Sequence, residues 1–284
     1  MENNEQLPKS MQWYFHPDES IRLLRYFQYN LIFDNNIDYT PVYTNNPNIG
    51  VVISTYGNLS YVELHLHYLK NINGINKILV HDNCSDNNEQ LKSLCAKYNV
   101  DFYSPSTPLF FHEGVGNIGD VNSIYQGLLW AKYNNLDILV KFSDKLIPCY
   151  EWKTDLITLA KKSNAITFSS YCTKDLYNMR TECIGLNVQA WSKQYPLQCI
   201  QFIINNELPI LEHIWFHELS KTLSGNNYSD TWINYCKANK YGYLHSGYAM
   251  WQTILGTNRH TDENRHKNTL WYMYSKDEDY KVQL

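Results

Sequence analysis

Residues 49–54 have the sequence IGVVIS, a short and nearly continuous apolar run rich in β-branched side chains. Such a run predicts a strand that is buried on both faces of a parallel sheet. Three similar runs follow along the chain, KILVHD at 77–82, VDFYS at 100–104 and DILVKFSD at 137–144. Segments with helical spacing of apolar residues separate them, and this alternation predicts right-handed βαβ units. The expected fold class is therefore α/β, with a mostly parallel sheet flanked by helices.

Capping residues predict where the helices start. SYVE at 60–63 has the letters of a capping box, so a helix is expected to begin there. Ser85 or Asp86 is expected to cap the second helix, and Asp120 the third. Short polar side chains suit these positions because they accept hydrogen bonds from the exposed N–H groups of a first turn. A fifth strand is predicted at 165–170.

Three regions are expected within one compact catalytic domain. Residues 1–48 are a polar arm with one helical patch, and residues 49–170 are the doubly wound half that carries the sheet. Residues 171–284 are a second half with a flexible tail, in which helices are predicted near 207–222 and 230–240. A homodimer made through the arm stays open.

Composition and charge exclude several classes of protein. Hydrophobic residues make up 44% of the chain and charged residues 18%, which is enough apolar material for a sizeable core. The net charge of −4 lacks the basic surplus of a nucleic-acid-binding protein. No apolar window approaches the length of a membrane span, and the first residues lack the features of a secretory signal. Seven Cys without a C-x-x-C pair indicate a reducing compartment, so a cytoplasmic location is expected.

Polar residues gather where the predicted strands end. In an open parallel sheet, ligands bind at the carboxyl ends of the strands, near the point where the strand order reverses. Hydroxyl, amide, carboxylate and aromatic groups at these ends suit a ribose and a base. The residues are Ser54, Thr55, Tyr56, Gly57, Asp82, Asn83, Cys84, Ser85, Asp86, Gly116, Asn117, Gly119, Asp120, Ser143, Asp144 and Lys145.

Two common phosphate-binding motifs are misplaced or missing. GVGNIGD at 114–120 contains G-x-G-x-x-G, but no buried strand precedes it, as the dinucleotide fingerprint requires. The sequence has no G-x-x-x-x-G-K-[ST] loop. Hydride transfer and phosphate-loop hydrolysis are therefore disfavoured. His65 and His67 lie two residues apart in a predicted helix, on different faces, and predict no site.

The strand ends carry a further pattern in VVISTYGN, ILVHDNCSDN, GDVNSIYQGLLWAK and DILVKFSDKLIP, taken in chain order. These segments resemble the GT-A nucleotide-sugar glycosyltransferases over residues 49–190, about half of the chain. In that family, strand one ends in a nucleotide contact, strand two in an Asp/Asn cluster and strand four in a metal-binding D-x-D motif. The resemblance implies a GT-A-like fold and transfer of a hexosyl or pentosyl group from a nucleotide-diphosphate donor.

The resemblance also implies roles for individual positions. Thr55 and Tyr56 are similar to nucleotide contacts, and Asp82 is similar to a carboxylate that binds the base or the ribose. Asp120 is similar to a second contact near the base and the ribose. The full set implied for the nucleotide is Ser54, Thr55, Tyr56, Asp82, Asn83, Asn117, Asp120 and Ser143.

The D-x-D position is occupied by Ser143-Asp144-Lys145, so only the middle carboxylate remains. The resemblance implies Mn²⁺ or Mg²⁺ at the donor diphosphate, with Asp144 and the late His245 as metal ligands. One carboxylate would hold such an ion weakly, so a metal requirement stays open. Lys145 or Lys141 could instead offset the phosphate charge directly.

The C-terminal third holds the other candidates. Arg259 and Arg265 could fold over the diphosphate as a lid, or form part of a solvated charged tail. An inverting transfer needs a carboxylate that deprotonates the acceptor hydroxyl, and Glu212 or Glu207 is the candidate. A capping or solvent-facing role for Glu212 stays open. Asp144 completes the set of catalytic candidates.

The expected function is a glycosyltransferase that moves a sugar from a UDP- or GDP-sugar to a glycan or other hydroxyl acceptor. The acceptor would be bound by residues 171–284, where Trp191, Trp215 and Trp251 could stack on sugar rings. Two alternatives stay open, a nucleotidyltransferase and a catalytically inactive GT-A-like scaffold that binds a glycan or a protein. STYGN after strand one has no Lys or Arg, which disfavours the nucleotidyltransferase.

Overall fold

The computed structural model of the chain describes residues 37–42, 45–109, 118–144, 152–161, 163–167 and 183–205, together with the helical positions Leu219 and Leu223. The strands in these residues are β1 Ile49–Thr55, β2 Ile75–Asp82, β3 Asp101–Tyr103, β4 Ile138–Ser143, β5 Ala165–Thr167 and β6 Cys183–Asn187. The helices are α1 Leu59–Lys70, α2 Asn88–Tyr98, α3 Ile118–Tyr133, α4 Trp152–Ala160, α5 Val188–Trp191 and α6 Gln194–Asn205.

The strands form one sheet in the order β3-β2-β1-β4-β6-β5. β1 lies between β2 and β4 and is parallel to both, and β2 is parallel to β3. β6 is antiparallel to its neighbours β4 and β5. The predicted fold class is therefore confirmed, an α/β fold with a mostly parallel sheet flanked by helices. The reversed direction of β6 was not predicted, because an apolar run gives the place of a strand and not its direction.

Alternating side chains on the strands divide the core into two apolar layers. Val51 and Ile53 of β1 pack with α1, α2 and α4, whereas Val52 packs with α3, α5 and α6. Gly127 lets α3 approach the sheet closely, because a Cβ there would lie 3.1 Å from side-chain atoms of Val52 and Leu139. The near-continuous apolar runs of the sequence follow from this burial on both faces.

The predicted helix starts need correction. α1 begins at Leu59 after Asn58, which makes no side-chain capping hydrogen bond, so the capping box is wrong. α2 begins at Asn88 after Asn87. Neither Ser85 nor Asp86 is the cap, since the Ser85 side chain binds a carboxylate of the preceding strand instead. Asp120 lies inside the first turn of α3 rather than before it.

The sequence predictions differ from the structure at one helix and extend beyond the described residues in several regions. Helix α6 was not predicted, although its 12 residues cover the α3 side of the sheet. Most of the 1–48 arm, the helix near 230–240 and nearly all of 207–222 lie outside the described residues. The division into three regions stays a prediction. In the described residues, no helix combines the length and the apolar character needed to cross a membrane.

Candidate functional site

The carboxyl ends of β1, β2 and β4 meet at the point where the strand order reverses. α1 and α2 cover one face of the sheet and α3 the other, and in a sheet of this kind the ligand crevice is expected between the ends of β1 and β4. Backbone hydrogen bonds tie the three ends together. The N–H of Asp144 donates to the Ser54 carbonyl at 2.9 Å, and the N–H of Asn83 donates to the Thr55 carbonyl at 3.1 Å. The predicted strand-end residues are therefore neighbours in space.

Asp144 is a buried residue that accepts one hydrogen bond at its carboxylate and another at its backbone carbonyl. The Thr55 hydroxyl donates to its Oδ2 at 2.7 Å. The Nε2 of His65, on α1, donates to its backbone carbonyl at 2.8 Å. Asp144 is thus held by the neighbouring strand and by the helix above it.

His65 is fully buried beside this carboxylate. Burial lowers the pKa of its ring to about 3, against smaller raising effects of the Asp144 and Ser143 backbone carbonyls. Its ring centroid lies 6.0 Å from that of Phe142 on β4. The ring is therefore neutral at ordinary pH, and its hydrogen is on the Nε2 that faces the Asp144 carbonyl.

Tyr61 is a second buried α1 residue near Asp144. Burial raises the pKa of its phenol, and the negative charge of Asp144 raises it further. The phenol is therefore protonated throughout the range in which the protein would be studied.

Asp82 is fully buried, and both of its oxygens accept hydrogen bonds. Oδ1 accepts from the Gly57 N–H at 3.2 Å. Oδ2 accepts from the Ser85 N–H at 2.8 Å and from the Ser85 hydroxyl at 2.9 Å. The Ser104 hydroxyl lies 3.5 Å from the same oxygen. Asp82 thereby holds the loops that follow β1 and β2 in one arrangement.

The loop after β1 depends on Gly57. Its φ of +72° lies in the left-handed region, and its carbonyl accepts from the Asn87 side chain at 2.7 Å. A Cβ at this position would approach Asn87 Oδ1 to 2.8 Å. The neighbouring Tyr56 is 51% exposed, so an aromatic side chain stands at the rim of the crevice.

A buried ion pair lies on the α3 side of the crevice. Lys141 of β4 is fully buried, and its Nζ lies 2.5 Å from Oδ1 of Asp120. The Ser54 hydroxyl donates to the same oxygen at 3.0 Å. The Asp120 side chain keeps 12% exposure, so Asp120 reaches the crevice while Lys141 lies beneath it. The suggestion that Lys141 offsets phosphate charge directly therefore does not fit its position.

His81 and Asn83 complete the described part of the site. Asn122 donates to Nε2 of His81 at 3.1 Å, and the His81 ring stacks on Tyr103 with centroids 5.2 Å apart. Burial, together with a smaller contribution from the nearby positive charge of Lys141, lowers the pKa of His81 to about 4. Asn83 donates through Nδ2 to the Leu109 carbonyl and accepts through Oδ1 from the Leu109 N–H, both at 3.1 Å. Its amide therefore anchors the chain that follows β3.

The described residues bear on the metal that the resemblance implies. They contain no group of three or more His, Cys, Asp or Glu side chains placed to hold an ion. Asp144 is the carboxylate that the resemblance places at the D-x-D position, and Mg²⁺ is commonly held by one or two carboxylates together with substrate phosphates and water. The donor set therefore fits an ion shared with a bound diphosphate, and not a site made by these protein groups alone.

The crevice gathers Ser54, Thr55, Tyr56, Asp82, Asn83, Asp120, Ser143 and Asp144, as the strand-end rule predicted. Their individual roles stay predictions. The other candidates lie outside the described residues and also stay predictions, namely Asn117, Lys145, Glu207, Glu212, His245, Arg259 and Arg265, with Trp215 and Trp251. Trp191 is fully buried and its indole N–H donates to the Asn164 carbonyl at 2.8 Å, so it is not placed to stack on a sugar.

Sequence reasoning missed His65. The signal was the helical spacing, because His65 falls between Val62 and Leu69, the positions three before and four after it, which form the buried stripe of α1. A polar ring on such a stripe is expected to have a buried partner.

No family model matches the sequence, and no curated protein matches it. The solved structures with a similar fold include a mannosyltransferase from Pyrobaculum calidifontis in complex with GDP-Man and Mn²⁺ (12% identity, 65% of this chain, 56% of that chain, TM-score 0.38). Another is glucosyl-3-phosphoglycerate synthase from Mycobacterium tuberculosis, in complex with Mn²⁺, UDP and glucosyl-3-phosphoglycerate (11% identity, 56% of this chain, 66% of that chain, TM-score 0.37). A third is a cytidylyltransferase from Leptospira borgpetersenii (13% identity, 57% of this chain, 71% of that chain, TM-score 0.34). The chain spans less than two thirds of the first two proteins, and likenesses this distant assign neither activity nor ligand to it.

Proposed function

We propose that the chain is a glycosyltransferase that moves a sugar from a UDP- or GDP-sugar to a glycan or other hydroxyl acceptor. The supporting observation is the meeting of Ser54, Thr55, Asp120 and Asp144 at the strand-order reversal, where open α/β sheets bind their ligands. A cytoplasmic location is part of the proposal, as is binding of the acceptor by residues 171–284.

The nucleotide would lie over the carboxyl ends of β1, β2 and β4. Tyr56 offers an exposed ring on which a base can stack. Asp120 offers a partly exposed carboxylate that can accept hydrogen bonds from ribose hydroxyls, and Lys141 and Ser54 hold that carboxylate in place. Asp82 acts on the nucleotide through the loops that it holds, because both of its oxygens are engaged within the protein.

The diphosphate would lie near Asp144, at the end of β4. A divalent cation shared between Asp144 and the diphosphate would offset the charge that develops on the leaving group. Lys145, Arg259, Arg265 and His245 are proposed to supply further positive charge or a ligand at this end. Glu212, or Glu207, is proposed as the base that deprotonates the acceptor hydroxyl.

Calorimetric titration of the full chain with UDP, GDP and CDP, each with and without Mn²⁺, tests the proposal. We expect UDP or GDP to bind, and the matching nucleotide-sugar to be hydrolysed or transferred slowly. Asp144→Asn should weaken binding in the presence of Mn²⁺, whereas Glu89→Gln, an exposed carboxylate of α2, should not.

Other outcomes would point elsewhere. Absence of binding to any of the three nucleotides would contradict the proposal. Release of pyrophosphate from CTP or UTP would favour a nucleotidyltransferase. Binding without turnover, unaffected by Asp144→Asn, would favour an inactive scaffold.

A further inference from the structure

We infer that His65 is a positioning residue that holds Asp144 in the orientation needed at the donor diphosphate. The inference rests on the proposed function of the crevice. It starts from the 2.8 Å hydrogen bond between His65 Nε2 and the Asp144 carbonyl, which joins α1 to the carboxyl end of β4. His65 itself lies too deep to touch a ligand, since its side chain is fully buried.

Three polar groups of Asp144 are held by three separate contacts. The N–H donates to the Ser54 carbonyl at 2.9 Å, and Oδ2 accepts from the Thr55 hydroxyl at 2.7 Å. Both of these partners belong to β1. His65 holds the carbonyl of Asp144, just beyond the end of β4.

The contact between His65 and the Asp144 carbonyl helps to fix the direction of the Asp144 side chain. The N–H and the carbonyl of Asp144 are both anchored, the first by β1 and the second by α1. Because its backbone is held at both of these groups, the Cα–Cβ bond of Asp144, from which the carboxylate extends, keeps its direction. Functional groups must be held within about 10–20° of their working geometry, and residues behind the ligand-binding group commonly provide this.

His65 also occupies a position where an apolar residue would pack without polar cost. It lies on the buried stripe of α1 with Val62, Leu66 and Leu69. Among the described residues, its Nδ1 has no hydrogen-bond partner. A buried polar atom without a partner is unfavourable for folding, so the imidazole is not explained by stability alone.

Two substitutions separate the contribution of the His65 hydrogen-bond donor from that of side-chain packing. His65→Gln retains a side-chain N–H that can reach the Asp144 carbonyl. His65→Met removes the donor and fills the space with a flexible apolar chain. Leu66→Val is the matched control, because Leu66 is equally buried on the same helix and packs in the apolar layer beneath it.

The affinity for UDP or GDP is measured by calorimetry with and without Mn²⁺, and each His65 substitution is repeated in the Asp144→Asn background. We expect His65→Met to lower the nucleotide affinity with Mn²⁺ about tenfold and to leave the affinity without Mn²⁺ nearly unchanged. His65→Gln should restore most of the loss. In the Asp144→Asn background, His65→Met should have no further effect, because the group that it positions is gone.

The inference is overturned if His65→Met lowers the nucleotide affinity equally with and without Mn²⁺, or equally in the wild-type and Asp144→Asn backgrounds. It is also overturned if His65→Met does not lower the affinity at all. If Mn²⁺ does not change the nucleotide affinity of the wild-type protein, the effect of His65→Met on that affinity is compared between the wild-type and Asp144→Asn backgrounds. Additive effects of the two substitutions then overturn the inference. A wild-type chain that binds no nucleotide contradicts the proposed function instead. An equal loss of affinity in Leu66→Val would also overturn the inference, because general destabilisation would then account for the effect of His65→Met.

Discussion

The hydroxyl of Thr55 donates to Oδ2 of Asp144 at 2.7 Å, and this bond joins the carboxyl ends of β1 and β4 where the strand order reverses. Both side chains are buried. The contact lies on the α1 side of the sheet, while Ser54 and Asp120 make the corresponding contact on the α3 side. Alternation along β1 therefore sends neighbouring hydroxyls to two carboxylates on opposite faces of the same crevice.

Thr55→Val should destabilise the protein. Valine has nearly the shape of threonine but no hydroxyl, so Oδ2 of Asp144 loses a buried hydrogen bond. A hydrogen bond to a charged group contributes about 1.5–3 kcal/mol, and we expect a loss of that order in the free energy of unfolding. Denaturant unfolding at pH 7 measures it. Thr55→Ser, which retains the hydroxyl, should lose clearly less, and an equal loss in both variants would refute the assignment.

Asp82→Asn should lower the free energy of unfolding by about 2–3 kcal/mol. The amide has one oxygen, whereas the carboxylate accepts from Gly57 on one side and from Ser85 on the other. One of these donors would face an NH₂ group instead. Denaturant unfolding is again the measurement, and Asp86→Asn, an exposed neighbour in the same loop, is the control. If the stability of Asp82→Asn equals that of the control, Asp82 does not hold the two loops.

The strands and their burial could be predicted because they depend on local pattern. IGVVIS is buried on both faces, and the strand-end rule then brought Thr55 and Asp144 together although they are 89 positions apart. The helix caps could not be predicted in this way. Ser85 has the letters of a cap, but its hydroxyl binds Asp82, a tertiary partner that competes with the local one.

Two further features of the site, the partners of His65 and Lys141, could not be predicted because they depend on contacts between elements. His65 lies on a stripe whose spacing predicts burial, yet nothing in the letters of α1 identifies a carbonyl 79 positions away as its partner. Lys141 stands between Val140 and Phe142 in an apolar strand. Its position predicts burial, but the ion pair with Asp120 depends on where α3 crosses the sheet.

Lys141→Met should strongly destabilise the protein. It leaves the carboxylate of Asp120 beside an apolar chain, with the Ser54 hydroxyl still bound. Removing one partner of a buried ion pair costs about 3–5 kcal/mol, because the remaining charge is left without compensation. The partial exposure of Asp120 places the expected loss at the low end of that range.

The double variant Lys141→Met with Asp120→Asn tests the cause. It should recover part of the lost free energy of unfolding, since the isolated charge is removed as well. Additive losses in the double variant would show that the lysine contributes through its packing and not through the charge of Asp120.

His81 should make the protein less stable in mild acid. Its pKa is lowered from 6.5 to about 4 in the folded state, chiefly by burial. Between these values the unfolded chain binds a proton that the folded chain does not, so stability falls as the pH drops from 6.5 towards 4 and is fully present above 6.5. From pH 7 to pH 5, His81 should account for a loss of about 2 kcal/mol.

His81→Gln isolates this contribution, because its side-chain oxygen can still accept from Asn122 but cannot take up a proton in this range. His65, also buried with a lowered pKa, titrates in the same direction and remains in both proteins. The measurement is the free energy of unfolding of both proteins at pH 7 and pH 5. The wild-type protein should lose about 2 kcal/mol more than His81→Gln over this interval. Equal losses would mean that the folded protein takes up the proton at His81 as easily as the unfolded chain does. The His81 ring would then be hydrated rather than sealed between Tyr103 and Asn122.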